Sequence, residues 1–523
     1  MSQNACDDPT ISTFPINRLP NELLDCVLLE VCQDSHDYVD VPPLSHVDSA
    51  HQHPRYSALA ISWVCARWRA IALANPACWT HAAIDIRLPA IEEVADEPTE
   101  HSRIVAQSIA LLRCYFERSK DAPLEVHFSE YLNDEERWEA TVGEVVRFAC
   151  TTMPRWKTCW LPSYLVDWLS TDPAQLGSPL QLRSAIVYFQ PVYDDFAVDL
   201  FARAPRLHRL AGSFSDRTAG VLPWAQLTHL GVSRFVSIQF FMSIVSQSQR
   251  LVKMKVQIWS NSNEPFPSHG SDTAPVVLPN LESADFIVDT GAVLQHLLAS
   301  LTTPKLSSLR LRGSAQRGDD DEQFSGYIRL WRWPMVHFEG WLQRSRCDRL
   351  TSLILADILM PRGDLIGILE RLPRLTEFGL KEHMALQPPE RQHDLPVDNC
   401  LLRRLTAVDG AKAELFPELR SFILKGILRF DWPLLLDMVR SRVVPRIENL
   451  DIYIDDQSTS DIDRDTEAEL NQSLGPRGFT NRCGSKWDLE KPWMQELLAN
   501  LEIAEQRAQE MEAQEAGASG SVM

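Results

Sequence analysis

No stretch of the 523-residue sequence approaches the roughly 20 consecutive apolar residues that a bilayer span requires. Basic residues are outnumbered: 51 Lys and Arg stand against 71 Asp and Glu, a formal net charge of −20. That balance excludes nucleic acid or an anionic membrane as the main partner, because phosphate backbones and headgroups need concentrated positive charge. Cysteine is sparse at 11 residues, far below a disulfide scaffold. No two cysteines form a Cys-x-x-Cys pair, so structural zinc lacks its usual signature. The expectation is free, mostly buried thiols in a reducing compartment, cytoplasm or nucleus. The first residues, Met1 to Asp8, are polar and acidic, without the character of a secretory signal or basic transit peptide.

What remains is ordinary globular usage, with 45% hydrophobic and 23% charged residues, which excludes a wholly disordered chain. Four parts follow one another. Residues 1–15 read as a disordered polar tail. Residues 16–80 hold two helical patterns around a polar inserted loop at 34–55. Residues 81–455 repeat a short strand-like phrase, and residues 456–523 read as a polar loop, a helix and a disordered tail.

The first helical pattern starts at Leu19-Pro20 and runs to Val31. Proline suits the first helical position, where its missing N–H has no intrahelical partner. Leu23, Val27 and Val31 recur four apart, and Leu24 and Leu28 widen the apolar stripe. The second pattern covers Tyr56 to Ala74, with Ile61, Val64, Trp68 and Ile71 placed on one face. Asn75-Pro76 ends it, since the residue before proline avoids the α region. In the insert, His46, His51 and His53 lack a matching carboxylate pattern and read as parts of a solvated loop, not as metal ligands.

These phrases, Leu19-Pro20-x-Glu22-Leu23-Leu24, Val64 to Ala72 and Asn75-Pro76-Ala77-Cys78-Trp79, together resemble an F-box. The likeness is strongest to fungal F-box proteins, in which irregular leucine-rich repeats follow. Two departures are the long insert and Cys78, where the family often has Leu. The resemblance implies docking on the Skp adaptor of a cullin-based SCF ubiquitin ligase, with a protein substrate held by the rest of the chain. On this sequence the matching docking positions are Leu19, Pro20, Leu23, Leu24, Val27, Leu28, Ile61, Val64 and Trp68. Independently, about 45 ordered residues bury little surface alone, yet these helices carry more apolar side chains than one seam needs. Either a second polypeptide covers the excess, or the downstream domain does.

The repeated phrase is close to Pro-x-Leu-x-x-Leu-x-Leu. It is headed by Leu207, Leu227, Leu281, Leu306, Leu350, Leu375, Leu419 and Ile447, with weaker copies at Leu182, Leu251 and Leu402. Spacings such as 207 to 227 and 350 to 375 match leucine-rich repeats of about 20–29 residues. Each repeat is then a strand followed by a helix, such as Ala292–Leu298 or Leu365–Leu372, and neighbours must stack to bury either. The long intervals 306 to 350 and 375 to 419 make the array irregular. The expected fold class is α/β: a short helical F-box motif, then an irregular leucine-rich-repeat-like solenoid, parallel sheet on one face and helices on the other. The alternative is a single α/β domain with generic Leu-rich strands. About ten strands at about 4.8 Å would present a face of roughly 45 Å, suited to a protein or peptide. Its alternate positions include Arg310, Lys381 and Lys425.

Signatures of catalysis are missing: no phosphate-cradling Gly-x-x-x-x-Gly-Lys-Ser/Thr, no Gly-x-Ser-x-Gly elbow and no His-Glu-x-x-His. Asp461-Ile462-Asp463-Arg464-Asp465 starts like a calcium loop, but Thr466 replaces the required Gly and Gln472 the closing Glu. Cys159 or Cys347 could act as nucleophiles only with a spatial histidine. The acidic runs Asp319–Glu322 and Asp455–Glu469 read as solvated loops, and Met494–Glu515 as a helix. The expectation is a non-enzymatic chain with no catalytic residue, no metal and no cofactor.

Overall fold

The computed structural model describes residues 15–33, 57–84, 98–128, 135–162, 165–169, 178–188, 199–260, 274–313, 333–381, 397–454 and 462–483, with short breaks inside these spans. The expected tail before residue 15, the inserted loop with its three histidines, the Asp319–Glu322 run and the segment from Met494 onward lie outside them. The described chain forms two compact units, residues 1–271 with 276–281 and residues 272–275 with 282–523.

The first unit opens with three helices, α1 (Asn21–Gln33), α2 (Ser57–Val64) and α3 (Ala66–Ala74), closed by a 3-10 turn at Pro76–Trp79. Seven parallel strands follow: β1 (His81–Ile84), β2 (Leu124–Phe128), β3 (Trp156–Pro162), β4 (Ser184–Tyr188), β5 (Arg209–Gly212), β6 (His229–Ser237) and β7 (Lys253–Trp259). Each pairs with the next in register order. Helices α4 (Pro98–Arg118), α5 (Glu135–Cys150) and α6 (Ile238–Gln247) alternate with them.

The second unit repeats the scheme. Strands β8 (Ser283–Val288), β9 (Ser308–Gly313), β10 (Ser352–Ala356), β11 (Glu377–Lys381), β12 (Ser421–Gly426), β13 (Asn449–Ile454) and β14 (Phe479–Cys483) are again parallel and neighbour to neighbour. Between them run α7 (Gly291–Ser300), α8 (Met335–Ser345), α9 (Arg362–Arg371), α10 (Asn399–Leu405), α11 (Trp432–Ser441) and α12 (Arg464–Leu474).

The leucine phrase sets this architecture residue by residue. Its first apolar residue, from Leu182 through Leu207, Leu227, Leu251, Leu281, Leu306, Leu350, Leu375 and Leu419 to Ile447, is buried in each case. The strand starts two residues later every time, at Ser184, Arg209, His229, Lys253, Ser283, Ser308, Ser352, Glu377, Ser421 and Asn449. The intervening residue is often Ser or Thr, and its hydroxyl donates to the same position one repeat earlier: Ser307 to Glu282 O at 3.0 Å, Thr351 to Ser307 O at 3.1 Å and Thr376 to Thr351 O at 3.1 Å. Those bonds satisfy carbonyls where the chain turns into the ladder.

Alternate strand residues then point to opposite faces. Leu309, Leu311, Leu353, Leu355, Phe378, Leu380, Phe422 and Leu424 are buried. Ala284, Phe286, Leu309 and Leu311 enclose a small apolar space with Leu297, Leu298 and Trp341 of the flanking helices. On the other face Asp285 and Lys381 are half-buried and Arg310 and Lys425 exposed, while Ile354 and Ala356 between them are buried.

Three expectations change. The weaker phrase at Leu402 is helix α10, not a strand. No described strand splits the 375–419 interval, because β11 pairs directly with β12; across 306–350, where a loop was expected, β9 likewise pairs directly with β10. The acidic segment read as a loop to Glu469 is helical from Arg464, with Thr466, Leu470 and Leu474 buried, and its helix leads to β14 beyond residue 455. A buried residue every four positions, ending in Leu470 and Leu474, gives that helix an inner face despite the surrounding acids.

One buried charge is used as a clamp. Arg442, 5% exposed, donates from Nε and Nη2 to Leu405 O at 3.0 and 2.7 Å, from Nη1 to Phe416 O at 2.6 Å and from Nη2 to Leu415 O at 3.0 Å. Burial lowers its pKa to about 10.

Candidate functional site

Helix α1 carries two apolar ridges about 100° apart around its axis. Leu24, Leu28 and Cys32 are 0, 1 and 5% exposed and enter a cluster with Ala58, Ile61, Ala72, Cys78, Trp79 and Tyr115. Leu23, Val27 and Val31, one residue earlier in each turn, are 54, 38 and 50% exposed.

The expected single helix from Tyr56 to Ala74 is broken. Cys65 is extended, at φ −159° and ψ 171°, and its Sγ accepts from Trp68 N as the cap of α3. Arg69 Nε donates to Ser62 O at 2.8 Å across the break. The change of phase separates Val64, which is exposed, from Trp68, which is partly buried against the cluster. Trp63 is 69% exposed beside Val64.

Polar contacts hold the three helices to one another. Arg67 donates to Leu19 O and, at 2.9 Å, to Asn21 Oδ1 at the start of α1. Asn75 Nδ2 donates to Asp25 Oδ1 at 2.9 Å. Trp79 Nε1 donates to Ala72 O at 2.7 Å, its ring meets Tyr115 edge-on at 5.1 Å, and the Arg118 guanidinium lies 4.3 Å from it. The last two contacts join the helices to α4, so the downstream chain does cover one side of them.

The nine sequence-derived docking positions therefore divide. Leu24, Leu28 and Ile61 lie in the buried cluster, Leu19 and Trp68 pack half-buried against it, and Pro20, Leu23, Val27 and Val64 are exposed. Sequence spacing placed Val31 on the stripe but not among the docking positions, and it overlooked Trp63 and Leu73, which are also exposed. Trp63 was overlooked because an unbroken helix would have set it off the common face.

A second surface lies in the other unit. Arg310, Lys381 and Lys425 are brought together, joined by Arg312, around a cavity of about 200 Å³ that Ile354, Ala356 and Asp357 complete. Burial and the adjacent Arg310, Arg312 and Lys425 charges push the Lys381 pKa down, against an opposing pull from Asp451. Asp285 stands 3.7 Å from Arg310 Nη1 and 4.0 Å from Arg312 Nη2. The lining offers four cations and one carboxylate.

Elsewhere, Cys159 is fully buried, and burial followed by Cys150 raises its thiol pKa, so it is not held as a nucleophile; Cys347 lies outside the described residues. Thr466 and Gln472 sit on α12, which is no calcium loop. Among the described residues no group of three or more His, Cys, Asp or Glu could hold a metal ion, and no helix is long and apolar enough to cross a membrane.

No protein-family profile matches the chain, and no curated protein matches it. Among solved structures, the chain is similar to an internalin from Listeria monocytogenes, at 12% identity over 60% of this chain and 77% of that one, with a TM-score of 0.30. It is also similar to the Rad7 and Elc1 complex from yeast, at 12% identity over 67% of this chain and 87% of that one, with a TM-score of 0.31.

Proposed function

We propose that the chain is the substrate-recruiting subunit of an SCF-type ubiquitin ligase and catalyses nothing itself. The N-terminal helices dock on a Skp adaptor and through it on a cullin, while the strand-and-helix repeats hold a protein target. Ubiquitin transfer to that target becomes effectively intramolecular. The observation that carries this reading is the double ridge of α1: Leu24, Leu28 and Cys32 are consumed by the chain's own core, while Leu23, Val27 and Val31 remain bare. Contiguous apolar surface of this kind marks a protein interface. The F-box resemblance of the same residues supplies the partner's class.

Affinity purification with mass spectrometry tests it, comparing the full chain with a Leu23→Asp/Val27→Asp variant and with a chain lacking residues 16–80. Capture of both adaptor and cullin by the full chain alone supports the ligase. Adaptor without cullin favours a binding scaffold with no role in degradation. Equal capture by all three chains removes the docking assignment.

A further inference from the structure

Four cations meet on the strand face opposite the described helices of the second unit, in a chain whose net charge is −20. The ladder fixes their places. Arg312, Ala356, Lys381 and Lys425 stand in one row across β9 to β12, and Arg310 lies two residues back along β9 in the row shared with Ile354. The small Ala356 side chain at the centre of the first row leaves the cavity open between the arginines and the lysines.

The site is incompletely neutralised. Asp285 approaches both arginines, but 3.7 and 4.0 Å are longer than hydrogen bonds, so the guanidinium forks keep donors to spare. Among the described residues, Lys381 and Lys425 form no ion pair. Four cations face Asp285, Asp357 and Asp451, the last acting on Lys381 from β13, so positive charge remains in excess by one. The rim is built with some care: Asp357 has a left-handed φ of 56°, and its N–H donates to Lys381 O at 2.7 Å. A non-glycine residue held there is uncommon and costs conformational energy.

The extent of the patch selects the ligand. The cations lie on β9, β11 and β12, with apolar Ile354 and Ala356 of β10 between them, and span about 14 Å at the usual strand spacing. Asp285 on β8 and Asp451 on β13 bound them on either side. A polyanion such as nucleic acid would run onto those carboxylates. A compact phosphate group fits instead into the cavity of about 200 Å³ that the four cations line between those carboxylates. Arginine forks bind phosphate oxygens in pairs, and lysines add point charge.

We propose that this cavity is a binding site for one phosphate monoester dianion, with Arg310 and Arg312 as the hydrogen-bonding forks and Lys381 and Lys425 as flanking charges. The inference stands apart from docking at the N-terminal helices, which belong to the other unit. The dianion has two possible sources, a phosphorylated side chain or a free small phosphate.

Calorimetric titration and thermal melting of the full chain distinguish them. The probes are inorganic phosphate, a blocked Gly-phosphoserine-Gly tripeptide and its unphosphorylated counterpart. Phosphate-bearing probes are expected to bind and raise the melting temperature, and the unphosphorylated tripeptide to do neither. Tighter binding of the phosphotripeptide assigns the site to a polypeptide-borne phosphate; equal or tighter binding of inorganic phosphate assigns it to a small molecule. The Arg312→Gln/Lys381→Met variant should weaken either by about tenfold or more. In the absence of phosphate, Lys381→Met should melt higher than the parent, because one of four mutually repelling charges is gone. Absence of binding by both phosphate probes, or binding unchanged in the double variant, overturns the proposal. So does a lower melting temperature for Lys381→Met.

Discussion

Asn75 ties the end of the N-terminal helices back to their beginning: its Nδ2 donates to Asp25 Oδ1 at 2.9 Å, while its own Oδ1 accepts from Ala77 N at 3.0 Å. One side chain thus caps the Pro76–Trp79 turn and fastens it to α1. Asn75→Ala should cost about 1–2 kcal/mol of stability, the sum expected for a lost cap and a lost hydrogen bond to α1. Chemical denaturation of the two chains, followed at the buried Trp79, measures it; a change below a few tenths would show the bond contributes nothing.

Leu23 and Leu24 should behave in opposite ways. Leu24→Asp places a charge among Trp79, Ile61 and Tyr115 and should destabilise the first unit by about 3–5 kcal/mol. Leu23→Asp should leave stability within about 0.5 kcal/mol, because that side chain is already in water. Melting curves of the two variants decide the matter, and similar losses in both would contradict the two-ridge description.

Gly313 permits a close approach of two strands. A Cβ there would stand 2.0 Å from the Asp357 carbonyl oxygen, a backbone atom that cannot swing aside. Gly313→Ala should therefore cost about 1–3 kcal/mol, the usual range for overpacking. Urea denaturation reads the loss, and a neutral substitution would mean the backbone yields.

Acid sensitivity should trace partly to His229. Burial, then Arg209, Lys253 and His208, lower its pKa from 6.5 to about 4. Between those values the unfolded chain binds more protons than the folded one. Its contribution is thus complete above about pH 6.5 and lost as pH falls toward 4. Replacing it, as in His229→Gln, should flatten the fall of melting temperature from pH 7 to pH 4. An unchanged slope would show that the imidazole takes its proton freely in the folded chain.

Much of the fold was legible because the leucine phrase encodes a local rule. A buried Leu, one linking residue and a period-two strand need no knowledge of distant parts, and ten phrases obeyed it. The phrase at Leu402 failed because Leu401, Leu402 and Leu405 satisfy helical spacing as well, and direct pairing of β11 with β12 leaves no place for another strand. At the cationic surface, alternation along strands puts Arg310, Arg312, Lys381 and Lys425 on one face, but only the register of four strands shows that they surround one cavity.

By itself the sequence determined the repeating strand-and-helix order, the acidic balance and the wide apolar stripe of α1, since all three follow from composition and short-range periodicity. Tertiary structure alone decided which half of that stripe is bare. Leu23 and Leu24 are equally hydrophobic, and only the packing of α2, α3 and the Pro76–Trp79 turn against one side of the helix puts Leu24 in the core and leaves Leu23 in water. The gathering of four like charges is of the same kind, for residues up to 115 positions apart become neighbours only when parallel strands bring them into register.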